Sequence, residues 1–276
     1  MMSIMSHNLN IKKAPNQDAK TVALRWNTLL QDLEEMKLHG YKNIAINSAW
    51  GWVEGKPIDF IYDNDWIEGV EIVEDDCNIS AINKLSNLKY LHISTDKVTG
   101  CIDFLNLPLL NALTIWWQKK VFNNLSSCSN LAYLVISRFL EQNLDWFSKN
   151  NKLKHLGLNY SRLKSLDGIQ DFRDLKIVDI YSAPHLTTLN FSPSVVKSIH
   201  RLALEKCKKI SDYKIIEKMV ELESLYLFES APIHSVNFLR NMKNLRYAYI
   251  GVDIIDGNVS FLKERGFEFK NARLYK

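Results

Sequence analysis

The chain has 276 residues, 46% of them hydrophobic and 24% charged, which suits one or two folded domains and excludes intrinsic disorder. The opening MMSIMSHNLNIKKAP has no apolar core of a signal peptide, and no apolar run reaches the ~18 residues of a membrane span, so a cytoplasmic protein with no membrane partner is expected. The net charge of +4 is mild but uneven: up to Ser80 there are 7 Lys and Arg against 13 Asp and Glu, and the basic excess lies entirely beyond that point.

In chain order, the first predicted element is a helix. Val22, Trp26, Leu29, Leu33 and Met36 fall at helical spacing and Gly40 supplies a stop signal, so residues 1–40 are predicted to form an N-terminal helical cap. Tyr41, Ile44 and Ile46 give one outlying copy of a motif that recurs further on. Ala49 to Lys56, with Trp50, Gly51, Trp52 and Gly55, interrupts the pattern and is predicted to loop out. Its GWVEGK stretch is one residue short of a phosphate loop and reads as a turn. Glu54 to Asp76 then carries nine acidic residues, Glu68, Glu71 and Asp75 among them, against Lys56 alone. Such a run is either a solvated face or a landing area for a basic partner.

From Ile67 the pattern apolar-x-x-apolar-x-apolar repeats nine times. The copies begin at Ile67, Leu88, Leu110, Leu131, Leu153, Leu175, Ile199, Leu222 and Leu245, between 21 and 24 residues apart. The alternation inside each copy has period two, so each is predicted to form a short strand with its aliphatic side chains on one face. A single such coil cannot bury that face; stacked coils join it into one core and pair the strands in a parallel sheet. Phe267 and Phe269 fit a closing strand, within a C-terminal cap at residues 266–276.

These residues resemble the leucine-rich-repeat family, whose consensus is LxxLxLxx(N/C)xL, over roughly Tyr41 to Phe269. The resemblance implies an α/β leucine-rich-repeat solenoid over residues 41–265, with a parallel concave β-sheet and the N-terminal helical cap. The ninth position, normally Asn or Cys, holds Asp75, Asp96, Gln118, Phe139, Ser161, Ala183, Cys207, Ser230 and Asp253. Phe139 and Ala183 offer no side-chain hydrogen bond, so irregular turns are expected there.

The third, fifth and seventh positions of each copy should point out of the core. Eight of these 27 positions are aromatic: Tyr90, Trp116, Tyr133, Tyr181, Tyr226, Phe228, Tyr247 and Tyr249. Trp117 and Tyr160 follow at the rim, and His92, His155, Asn159, Asp179, Arg201 and Glu205 supply polar and charged groups. Strand propensity accounts for some of the tyrosines, but exposed Trp and Phe suit a protein-binding surface. Together with Glu68, Glu71 and Asp75 at the acidic end, these are the candidate partner-binding residues.

No catalytic motif stands out, and no catalytic residue, cofactor or metal is expected. Cys77, Cys101, Cys128 and Cys207 form no CxxC pair and are expected to be free buried thiols. His92 and His155 lie three repeats apart, about 14 Å at the strand spacing, so His92, His155 and Asp179 are not expected to work together. The expected role is non-enzymatic protein binding. In style the chain is similar to intracellular bacterial repeat proteins that include immunity proteins, which implies neutralisation of a toxin, such as a basic nuclease, by covering it. A scaffold or specificity subunit is the alternative. A nucleic-acid binder would need Lys and Arg in the outward positions, where Arg201 stands alone.

Overall fold

A computed structural model describes residues 9–13, 20–147 and 151–269. The chain divides into two compact units, Met1–Asn130 and Leu131–Lys276. Residues 1–8, 14–19 and 270–276, which belong to the two expected caps, lie outside the described residues.

In the first unit the strands are β1 (Ile11–Lys13), β2 (Lys20–Ala23), β3 (Asn43–Ile46), β4 (Gly69–Ile72), β5 (Tyr90–Ile93), β6 (Ile102–Asp103), β7 (Ala112–Trp116) and β8 (Phe122–Asn123). Strands β2, β3, β4, β5 and β7 pair in parallel in that order, and β1 adds antiparallel to β2. Strands β6 and β8 form a separate parallel pair. Register puts Val22, Ile44, Val70, Leu91 and Leu113 in one column and Ile46, Ile72, Ile93 and Ile115 in another. All nine are fully buried, each contributing about 1.5–3 kcal/mol of hydrophobic stabilisation.

The helix α1 covers Leu29–His39, shorter than the sequence pattern predicts. Val22 belongs to β2, where it pairs with Ile44, and Trp26 starts a short 3-10 turn. The buried Asp32 carboxylate fixes the helix start by accepting from the Arg25 backbone N–H at 2.9 Å and its guanidinium at 2.6 Å. Gly40 ends it in the left-handed region at φ 70°, as its position implied. The interruption after β3 is not a bare loop: Trp52 is buried against Trp26 and Phe60, with ring centroids 5.3 and 5.9 Å away.

The second unit holds β9 (Tyr133–Ser137), β10 (His155–Asn159), β11 (Ile177–Tyr181), α2 (Pro193–Val196), β12 (Arg201–Glu205), β13 (Ser224–Phe228), β14 (Tyr247–Gly251), α3 (Ser260–Glu264) and β15 (Glu268–Phe269). All seven strands run parallel in chain order. Leu134, Leu156, Val178, Leu202, Leu225 and Ala248 stack in one column, and Ile136, Leu158, Ile180, Leu204, Leu227 and Ile250 in the other. All twelve are buried, as are the leading residues Leu131, Leu153, Leu175, Ile199, Leu222 and Leu245. The repeat therefore does what its spacing predicted, and β15 is the expected closing strand.

The turns after these strands correct the expectation of irregularity. In the first five copies of the second unit the eighth residue, Arg138, Tyr160, Ser182, Lys206 or Glu229, is left-handed, with φ between 46° and 58°. Each donates its backbone N–H to the next coil: Arg138 to Asn159 O (2.7 Å), Tyr160 to Tyr181 O (2.8 Å), Ser182 to Glu205 O (2.8 Å), Lys206 to Phe228 O (2.9 Å) and Glu229 to Gly251 O (3.2 Å). The main chain makes the turn, so Phe139 and Ala183 enter the core without disturbing it. Cys207 and Ser230 add side-chain bonds, with Ser230 Oγ accepting from the Cys207 N–H at 3.0 Å.

Candidate interaction surface

Burial along β11, β12 and β13 alternates, with Arg201 exposed, the other outward residues partly exposed and each inward one buried. The outward side chains of the second unit form three linked groups. At the β9 side the Tyr133 and His155 rings meet edge to face at 4.5 Å. His155 Nε2 lies 3.2 Å from Asp179 Oδ2, and Arg201 Nε donates to Asp179 Oδ1 at 2.9 Å. Burial alone would raise the Asp179 carboxyl, but its partners His155 and Arg201 outweigh that and hold it below its ordinary value.

This contact corrects part of the expectation that His92, His155 and Asp179 do not work together: His155 and Asp179 meet. They sit on adjacent strands, and the histidine at the third position leans across to the aspartate at the fifth. Gly157, the register neighbour of Asp179, has no side chain to block that approach.

The second group lies at the rim. Tyr160 is half exposed and meets Tyr181 edge to face at 5.0 Å. Lys206 Nζ donates to Tyr181 Oη at 2.8 Å and lowers the phenol's pKa. Sequence reasoning overlooked Lys206; its only signal was its place immediately after the outward Glu205. Asn159 reaches Ser137 Oγ at 3.4 Å.

The third group is a block of rings. Tyr226 and Tyr249 stack at 4.9 Å with an interplanar angle of 17°, and Phe228 meets Tyr249 at 5.8 Å, edge to face. Phe228 lies across Gly251, where an added Cβ would come 2.5 Å from Phe228 Cδ2. A glycine at that one position is what lets the phenylalanine lie down. Tyr247 is exposed beside the block.

The candidate residues of the first unit are placed differently. Glu68 is held between Lys42 Nζ at 2.6 Å and Lys89 Nζ at 2.7 Å, which lowers its pKa, and Asp75 pairs with Lys97 at 2.6 Å. Glu71 and Tyr90 are buried, and burial raises the Glu71 carboxyl. Tyr90 Oη lies 3.2 Å from Nδ1 of His92, whose pKa burial depresses. Trp116 is partly exposed, but Trp117 is a correction: it is buried in the core, stacked on Phe122 at 6.1 Å. In this unit the eighth residue of the copies is not left-handed, so Thr95 and Trp117 turn inward there. Cys77, Cys128 and Cys207 are buried, which pushes their thiols up to about 11, about 12 and about 11; Cys101, against expectation, is exposed.

No protein-family model and no curated protein matches the chain. Solved structures do. An internalin from Listeria monocytogenes is similar over 83% of this chain and 69% of its own, at 12% identity and a TM-score of 0.57. The leucine-rich repeat domain of the type III effector XopL is similar over 80% of this chain and 77% of its own, at 17% identity and a TM-score of 0.52. These likenesses establish the leucine-rich-repeat fold.

Proposed function

We propose that this leucine-rich-repeat chain is a non-enzymatic protein-binding module that grips its partner with the outward sheet face of the second unit. The observation that carries the reading is the block of Tyr226, Phe228 and Tyr249. These rings are partly exposed yet already locked against one another and against Gly251, so binding would cost them little side-chain entropy. Aromatic anchors held in this way are the usual carriers of interface energy. The His155–Asp179 pair is read as structural, because Asp179 also holds Arg201 and the imidazole rests on Tyr133.

The finer proposal is an intracellular immunity protein that covers a toxin. The exposed Glu54, Asp59, Asp63 and Asp65 of the first unit suit a basic partner; Glu68 and Asp75, paired with lysines, contribute less. Tagged chain recovered from its native cell, with mass spectrometry of what accompanies it, identifies the partner. Tyr226→Ala with Phe228→Ala should then weaken binding by more than ~2 kcal/mol while thermal unfolding stays cooperative. Unchanged affinity removes this face from the reading. If the partner is a toxin, one equivalent of the chain abolishes its activity; undiminished activity of the bound partner ends the immunity proposal.

A further inference from the structure

The ring block stops abruptly on one side. At the fifth position the register runs Asp179 on β11, Ala203 on β12, Tyr226 on β13 and Tyr249 on β14. Tyr249 covers one face of the Tyr226 ring, whereas on the other side the next outward residue is only the methyl of Ala203. The gap is a hollow of about 300 Å³ lined by Asp179, Tyr181, Arg201, Ala203, Glu205 and Tyr226. It has room for one large side chain.

The charges around it are unequal. Asp179 and Arg201 satisfy each other at 2.9 Å across one end. The Glu205 carboxylate, at the other end of the same strand, makes no hydrogen bond among the described residues, and its one ion contact is long, 3.9 Å to Lys206 Nζ. Glu205 also acts on Tyr226: after burial, its charge is the next cause raising that hydroxyl. An open aromatic face and an under-used carboxylate thus share one slot, with two acids and one base in its lining. A planar cation satisfies both at once, stacking on the ring while its N–H groups bond the carboxylate; a guanidinium has that shape and an ammonium does not.

We propose that the Ala203 slot is a specificity subsite for one arginine side chain of the partner protein, stacked on Tyr226 and paired with Glu205. This rests on the reading of the face as a protein-binding surface, but it can be tested without the partner. The probe is Nα-acetyl-L-arginine amide, with the lysine and tyrosine amides as comparators, titrated into full-length protein labelled at alanine methyls and tyrosine rings. The arginine probe should shift the Ala203 methyl and the Tyr226 ring saturably, with Kd on the order of millimolar to tens of millimolar. Glu205→Gln should weaken it about two- to fivefold, and Ala203→Leu, which fills the slot from its floor, should abolish the Tyr226 shift. Absence of a saturable shift, equal affinity for lysine or tyrosine amide, or indifference to both substitutions overturns the proposal. Probe binding with no partner captured would leave the slot standing and sink the wider function; partner capture with no probe binding would do the reverse.

Discussion

The most discriminating change on the ring block is one that removes no contacting atom. Gly251→Ala adds a methyl 2.5 Å from Phe228 Cδ2, 3.0 Å from Tyr249 Cε1 and 3.3 Å from Phe228 Cε2. Carbon atoms settle at about 3.5–4.0 Å, so the Phe228 ring must move by roughly an ångström. The Gly251 backbone is not in the left-handed region, so alanine adds no backbone strain. The displaced ring gives up its edge-to-face contact with Tyr249, worth about 0.5–1.5 kcal/mol, or takes a strained rotamer at a similar cost. Partner affinity should fall by about 1–2 kcal/mol, some five- to thirtyfold, while stability changes by less than about 1.5 kcal/mol. Calorimetric titration against the captured partner and thermal unfolding measure the two quantities. Full affinity in Gly251→Ala, with ring resonances showing that Phe228 has moved, would refute the claim that a pre-set ring arrangement drives binding.

Other consequences are open to simple measurement. Ser182 sits at φ 57°, where asparagine is better tolerated, so Ser182→Asn should raise stability by about 0.5–1 kcal/mol; a lower urea midpoint would contradict that account of the turns. Folding lowers the Asp179 pKa, so its stabilisation is complete above the unfolded value of 3.8 and is lost as pH falls through the lower folded value. The stability gap between wild type and Asp179→Asn should therefore be full at neutral pH and close in acid, and a gap independent of pH would show that His155 and Arg201 do not act through charge. A thiol reagent should label Cys101 first in the native protein and reach Cys77, Cys128 and Cys207 only on unfolding, as peptide mapping would reveal.

What the sequence made legible was the part governed by periodicity. The aliphatic columns, the parallel pairing and the closing strand at Phe269 all follow from apolar residues recurring at a fixed interval. The outward residues of the second unit were legible for the same reason, because a period of two assigns faces without knowledge of contacts. Val22 was misplaced because a residue in an apolar run can satisfy helical spacing and still pair with Ile44. Trp117 was misplaced because its direction depends on whether the turn at the eighth residue is left-handed, a choice the side chains there do not announce. The His155–Asp179 contact escaped notice because it joins third and fifth positions of neighbouring coils, a diagonal that no linear spacing displays. The pairing of Glu68 with two lysines escaped for a like reason: Lys42 and Lys89 lie 26 and 21 residues away in sequence and meet it only through the stacking of coils.

The left-handed bend that closes β9 through β13 is stitched by peptide groups. Arginine, tyrosine, serine, lysine and glutamate all occupy it, with the same geometry and the same donor reaching the next coil. Side chains of quite different charge, bulk and reach thus stand at the border of the outward face on the same backbone geometry. On the binding face proposed above, this row of positions would let contacts with a partner change one residue at a time while the bend keeps its geometry.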